Sequence, residues 1–389
     1  MPTFNNERLK AARLLAGLSL RQLEESLSNK VSYISINKYE KGLMQPETSM
    51  IFKLAEILKV TPGYFFETNS IQLGEINFRK QSNLTLSEVE QIKEKTKDKV
   101  LRYIEAERLL NISTLFNNPI AKKRVKDKVR AEEMAEIVRS EWGLGTNPIP
   151  NVIEMLEGNE VKVIEIEASD KFDGLSAHVD GGIPVAVVND SFTIERKRFT
   201  ALHELGHLMM NIKITDEREK ENACHRFAGA LLLPEVEIKK TLGERRSNIA
   251  IGELVAIKEE YGISVQAAMR RALDLGIISA LAYKHFFMKL AGNKREEGLG
   301  SYKGKEKSYR LLQMVFRLTS EGVISLEKAS SLAGMHLPEF RALYNNVPIE
   351  EELYLYNMGA TAFAESWAGD EPEYSLDDVK TINPDYAGR

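Results

Sequence analysis

Residues 203–207 read His-Glu-Leu-Gly-His, inside a stretch, 199–210, whose other positions include Phe199, Leu202, Leu205, Leu208 and Met209. No other feature of the 389 residues constrains the fold as strongly. At helical spacing the two histidines share one face, and a helix apolar nearly all round has to be buried. Burying two imidazoles and a carboxylate without partners would cost several kcal/mol, whereas a metal ion removes that cost. Two imidazole nitrogens so placed can converge on one Zn2+ at about 2.0–2.1 Å each. A surface helix carrying two histidines is the plainer alternative, and the apolar neighbours argue against it.

Glu204, between the histidines, is placed to hydrogen-bond a water on the metal and take its proton. The metal lowers that water's pKa from about 15.7 toward about 7, within reach of a carboxylate base. A catalytic zinc keeps three protein ligands and one open position. Glu221, fourteen residues beyond His207 and expected in the first turn of the next helix, is the favoured third ligand, with Asp216, Glu219 and His225 as rivals. Cys224 is the only cysteine, which excludes a disulfide framework and any multi-cysteine metal site, and it reads as a small buried hydrophobe.

Length implies two to four folded units at roughly 100–200 residues each, and a hydrophobic content of 43% with 28% charged residues fits globular domains. The expected layout is an all-helical unit over 1–70, a basic helical linker over 71–129, an α+β domain over 130–290, a helical module over 308–350 and an acidic tail over 351–389. The linker expectation rests on residues 91–130, with twelve Lys/Arg against five Asp/Glu, and a capping box of Ser87 with Glu90 opens its helix. Runs at 161–166, 174–179 and 183–188 suggest a small antiparallel sheet, in which 183–188 is either an edge strand that pairs an extended peptide or an ordinary core strand. Helices are expected over 194–210, 217–233 and 251–290. Residues 290–307, rich in Gly and charge, read as a flexible linker. The acidic residues after Glu365, mixed with Trp367, Tyr374 and Tyr386, suggest partial disorder when alone. The start carries no basic segment followed by an apolar run, and no run of about 18 apolar residues occurs, so the expected location is cytoplasmic, with no membrane association.

RKRFTALHELGHLMMN followed by ENACHRFAGALLLP resembles the ImmA/IrrE family of metallopeptidases, over about 130–290. The resemblance implies a zincin-like α+β metallopeptidase domain in which His203, His207 and Glu221 bind Zn2+ and Glu204 is the general base. The family's substrates are helix-turn-helix repressors, so a repressor-type protein substrate is implied as well.

Residues 18–42, LSLRQLEESLSNKVSYISINKYEKG, resemble the helix-turn-helix of the phage-repressor-like (Xre/Cro) family, through the Leu-Ser helix start, Leu23, Ile36 and the closing Tyr39-Glu40-Lys41-Gly42. In that family the second helix enters the major groove of double-stranded DNA. Tyr33, Ile34 and Lys38 would then face base edges, and Arg21, Gln22 and Asn37 would contact phosphates. The turn is about two residues longer than the compact form, and Glu24 stands where a small alanine commonly packs. Net charge is -4 over the chain, and residues 1–70 hold nine Lys/Arg against seven Asp/Glu, so strong DNA binding would need a homodimer or help from the basic segment. Two further stretches with helix-turn-helix-like spacing, YGISVQAAMRRALDLG and VISLEKASSLAGMHLPEF, read as packing or protein-interaction elements.

The expectation is therefore a multidomain chain: an all-α helix-turn-helix domain, an α+β zincin-like metallopeptidase domain and a helical C-terminal module, regulating transcription and cleaving a repressor-type protein or itself. The alternative is an antitoxin that represses its own operon and masks a toxin partner with its acidic tail, the zinc site being idle.

Overall fold

The computed structural model describes residues 3–66, 73–78, 84–113, 115–179 and 182–346. Four short helices come first: α1 (Asn6–Leu15), α2 (Leu20–Ser26), α3 (Tyr33–Glu40) and α4 (Thr48–Leu58), followed by a 3-10 turn at Pro62–Phe66. Local chemistry sets their ends. Ser19 and Gln22 form a capping box at the start of α2, and the Ser32 side chain caps α3. Leu9, Ala12, Leu23, Ile36, Leu54 and Phe65 make one small core. Arg13 on α1 holds Glu40 at the end of α3 by two hydrogen bonds of 2.6 and 2.9 Å, both side chains being nearly buried. The turn between α2 and α3 is long because Ser28 and Asn29 both take left-handed backbone, φ 55° and 56°.

Strand β1 (Leu73–Phe78) and helix α5 (Leu86–Leu109) follow, then β2 (Arg124–Val125), α6 (Lys128–Glu141) and α7 (Val152–Gly158). Next come β3 (Lys162–Ile166), β4 (Gly174–Val179), β5 (Ile183–Asn189), α8 (Ile194–Met209), β6 (Asn211–Ile212) and α9 (Glu217–Leu232). The main sheet has the order β1-β4-β5-β3. It is mixed, not antiparallel as expected: β3 runs parallel to β5, while β4 is antiparallel to β5 and β1 antiparallel to β4. Helix α7 packs against both β3 and α8, the covered-face setting in which parallel pairing occurs. The run 183–188 is therefore an interior strand and not a peptide-pairing edge.

Helices cover both faces of this sheet. Val163, Ala186 and Val188 join the large core that holds α8 and α9. Ile164, Leu175, Val185 and Val187 meet Ile92 and Val100 of α5 on the other face. The basic segment is thus no free linker over its helical part. Its apolar stripe closes a core, and Lys95 donates to the Glu167 carbonyl at 3.0 Å as β3 ends. The capping box of α5 is Thr85 with Glu88, two residues before the expected pair.

Helices α10 (Glu235–Leu242), α11 (Ile251–Tyr261), α12 (Val265–Asp274) and α13 (Ala280–Leu290) complete this part of the chain. The helical stretch expected over 251–290 is divided into three helices where Gly262 and Gly276 take φ of +63° and +70°. The stretch expected as a flexible linker is a strap with two buried carboxylates. Glu296 pairs with Lys258 at 2.9 Å and accepts from the first amides of α12, Val265 at 3.0 Å and Gln266 at 2.9 Å. Glu306 pairs with fully buried Arg198 at 2.6 Å. Compact units divide the chain at 311/312. Near that division α14 (Arg310–Ser320), α15 (Leu326–Ala333) and α16 (Leu337–Asn345) follow; Ser325 caps α15, and Gly334 ends it in left-handed backbone. The acidic tail lies outside the described residues.

Candidate metal centre

Two close approaches build the site, and a glycine stands at each. At Gly206, inside the motif, a Cβ would lie 3.3 Å from Phe227 Cδ1 and 3.5 Å from Cys224 Cα, so α8 and α9 meet there. At Gly174, the first residue of β4, a Cβ would fall 2.7 Å from the Val187 carbonyl oxygen and 2.6 Å from Thr200 Cγ2. A side chain there would collide with the β5 backbone and with Thr200 of α8. The same Cβ would lie 3.3 Å from Glu204 Cγ, which places Glu204 beside β4.

With α9 so close, Glu221, in its second turn rather than its first, reaches both histidines. Its Oε2 lies 3.2 Å from His203 Nε2 and its Oε1 3.3 Å from His207 Nε2; the two Nε2 atoms are 3.1 Å apart. A tetrahedral ion with ligand arms of about 2.05 Å has edges of about 3.3 Å. Each nitrogen lies about one such edge from the other and from one of the two carboxylate oxygens, and with one ligand atom per residue the three atoms lie within 4.8 Å of one another, so two nitrogens and one carboxylate make a donor set suited to zinc. Burial pushes the Glu221 carboxyl up, but hydrogen bonds and positive charge from the two imidazoles outweigh it and hold the group far below the ordinary carboxylate range. The anionic form thus faces the histidines.

His203 and Glu204 are each 1% exposed, whereas the Glu221 side chain is 29% exposed, so the centre opens toward α9. The rivals have other placements. Asp216 caps α9 by accepting from the Glu219 amide at 2.8 Å, and Glu219 accepts from Asn222. His225 lies between the rings of Phe199, at 5.8 Å, and His203, at 4.5 Å. Beside it a pocket of about 140 Å³ is lined by Phe199, Asn222, His225, Arg226, Arg270 and Asp274, among others. Glu132, Glu136 and Glu235 form another acidic group, but Glu132 is already neutralised by Arg271 and Arg226.

Cys224 has a second contact that sequence reasoning missed. Its Sγ lies 3.6 Å from His207 Nδ1. The signal was present, because Cys224 follows Glu221 by three residues on α9 and so faces the same neighbour helix. Gly206 was likewise unremarked, although a small residue inside the motif is what lets α9 approach.

In the N-terminal domain, Tyr33, Ile34 and Lys38 are exposed on α3, Ile34 to 53%, while Ile36 and Tyr39 turn inward. Arg21 lies over the Tyr33 ring at 5.5 Å, Asn37 is half-buried, and Gln22 accepts from the Ser19 amide as part of the cap. Leu43, Met44 and Phe52 are also exposed there, which sequence reasoning did not single out.

Comparison with known families places two domains. Residues 9–65 match the helix-turn-helix family, and residues 160–273, from β3 through α12, match the IrrE N-terminal-like domain. The chain joins these two domains. It is a DNA-binding regulator with a protease-like domain of metallopeptidase type. No curated protein matches it. Among the described residues, no helix is long and apolar enough to cross a membrane.

Proposed function

We propose that the IrrE-like domain is a zinc-dependent endopeptidase acting on a repressor-type protein, and that the helix-turn-helix domain directs the chain to DNA. The observation that carries this reading is the convergence of His203, His207 and Glu221, whose two Nε2 atoms are 3.1 Å apart and each 3.2–3.3 Å from a carboxylate oxygen, with Glu204 on the same helix as the histidines.

His203, His207 and Glu221 would hold the ion. When bound, zinc supplies Lewis-acid polarisation of the scissile carbonyl and a nucleophilic water at neutral pH. Glu204, next in sequence to one ligand and beside β4, takes the proton from the attacking water and passes it to the departing amide nitrogen. The pocket between Phe199 and Arg270 receives a neighbouring substrate side chain. On DNA, Tyr33, Ile34 and Lys38 read base edges, and Arg21, Gln22 and Asn37 contact phosphates. A homodimer suits the modest charge of this domain, since each phosphate neutralised adds to affinity. Masking of a toxin by the acidic tail rests on residues outside those described, and no observed geometry favours it.

Glu204→Gln is the test. The variant should retain one zinc per chain by elemental analysis and full operator binding, and lose cleavage of the repressor by at least about a hundredfold, in line with removal of a general base. Unchanged cleavage would end the peptidase reading.

A further inference from the structure

The sheet edge beside Glu204 carries a strand from outside both family domains. Leu73–Phe78 follows the helix-turn-helix match, 9–65, and precedes the IrrE-like match, 160–273. It pairs antiparallel with β4, on the side of β4 away from β5. The register runs Leu73 to Val179, Ile76 to Ala177, Asn77 to Ser176 and Phe78 to Leu175. Its C-terminal end thus stands opposite the residue after Gly174, the point of β4 that lies against Glu204.

A sheet edge offers a row of main-chain N–H and C=O groups, which is how an extended peptide is held. β5 cannot offer one, being flanked by β4 and β3. We propose that β1 is a tethered occupant of the edge on which an extended protein substrate pairs, so that β1 must leave before substrate enters. This rests on the peptidase reading, because it takes β4 as the strand that presents a peptide to Glu204.

Two features suit β1 to that role. It is tied at both ends: upstream the Asn5 amide donates to the Phe65 carbonyl at 2.7 Å, and downstream the Thr85–Glu88 capping box starts α5. A short tether keeps a strand at an effective concentration of the order of millimolar, so a free peptide competes poorly. The register is also irregular between Leu73 and Ile76, which shortens the regular ladder and eases release.

The test uses the full chain carrying Glu204→Gln, so that binding is read without turnover. The probe is a fluorescent peptide of residues 71–82, IQLGEINFRKQS, followed by anisotropy. Replacing 73–78 by six Gly/Ser residues should tighten its binding at least about tenfold, as expected when only a tenth or less of the chains otherwise present an open edge. Equal binding to both proteins, or binding to neither, would overturn the proposal. Asn77→Cys with Ser176→Cys is a second variant, expected to cross-link under mild oxidation; failure to cross-link would also overturn it. Intact mass of the chain with native Glu204 separates occupant from substrate, since cleavage within 73–83 would make β1 a substrate and end the inhibitory role. Because the binding arms need no catalysis, an inactive peptidase would appear in the repressor assay and leave them unaffected.

Discussion

Helix α8 buries polar side chains at both ends, and satisfies them in opposite ways. Near its start, fully buried Arg198 meets only acceptors: Glu306 at 2.6 Å, the Ile149 carbonyl at 2.7 Å and the Tyr261 carbonyl at 3.2 Å, with the Tyr302 ring 4.3 Å away. Near its end, the Nε2 atoms of His203 and His207 lie 3.1 Å apart, each 3.2–3.3 Å from a carboxylate oxygen of Glu221 on α9. The first cluster supplies its own cation, although the Arg198 Nε is buried without a hydrogen-bond acceptor. The second, on the proposed reading, takes its cation from outside. Donor and acceptor types, rather than burial or charge alone, separate a structural cluster from a metal centre.

Breaking the first cluster should have the largest effect on folding. Arg198→Met removes the cation but keeps much of the volume, leaving the Glu306 carboxylate buried without its partner. Urea denaturation should show a loss of about 3–5 kcal/mol, as for other severed buried pairs. Zinc content of the variant that still folds should stay at the level of the parent chain. A loss below about 1 kcal/mol would mean that the strap over 296–308 does not depend on this pair.

The second effect in size concerns the next anchor of the same strap. Glu157 on α7 accepts from the Ser308 hydroxyl at 2.8 and 2.9 Å. Burial pushes its carboxyl up to about 7, against the lowering influence of Ser308, Arg310 and Lys162. With the unfolded value near 4.5, the folded chain holds a proton that the unfolded chain gives up between about pH 4.5 and 7. The stability this group contributes is therefore fully present below pH 4.5 and is lost as pH rises through 7. Relative to Glu157→Gln, the parent chain should lose about 3 kcal/mol between pH 4.5 and 8, from the unit value of about 1.4 kcal/mol. Denaturation of both proteins at the two pH values checks the sign, and a pH-independent difference would contradict it.

The two ends of α8 also differ in how far they could be read in advance. His203, Glu204 and His207 declare themselves because spacing and apolar neighbours are local properties, and the helix was expected at 194–210 against Ile194–Met209 observed. Glu221 was reachable by the same logic one helix later. Arg198 was not, because its partner Glu306 lies 108 residues away in a stretch whose Gly and charge content looks like linker. Composition cannot distinguish a solvated carboxylate from one that a distant guanidinium draws inside. Strand directions were hidden for a related reason: the alternation at 161–166 and the β-branched run at 183–188 locate strands, but which strands become neighbours is a long-range property, and β3 pairs with β5 rather than with β4, the next strand in sequence. The displaced capping box at α5 is simpler. Thr85–Glu88 and Ser87–Glu90 both have the required spacing, and the structure uses the earlier pair.

The smallest predicted effect probes the metal end through a residue that touches no ion. If His207 binds through Nε2, its ring proton must sit on Nδ1, and Cys224 Sγ at 3.6 Å is the acceptor that fixes this tautomer and the ring orientation. Sulfur is a weak acceptor, so the lower end of the range for such supporting contacts applies, about tenfold in metal affinity or about 1.4 kcal/mol. Cys224→Ala, which keeps a small apolar group at a fully buried position, should weaken zinc binding by that factor in competition with a chelator. Cys224→Ser, with a better acceptor of similar size, should restore it. If alanine and serine weaken zinc equally, the contact works through packing between α8 and α9 and not through the ring proton, and the metal end would then rest on its three donors alone.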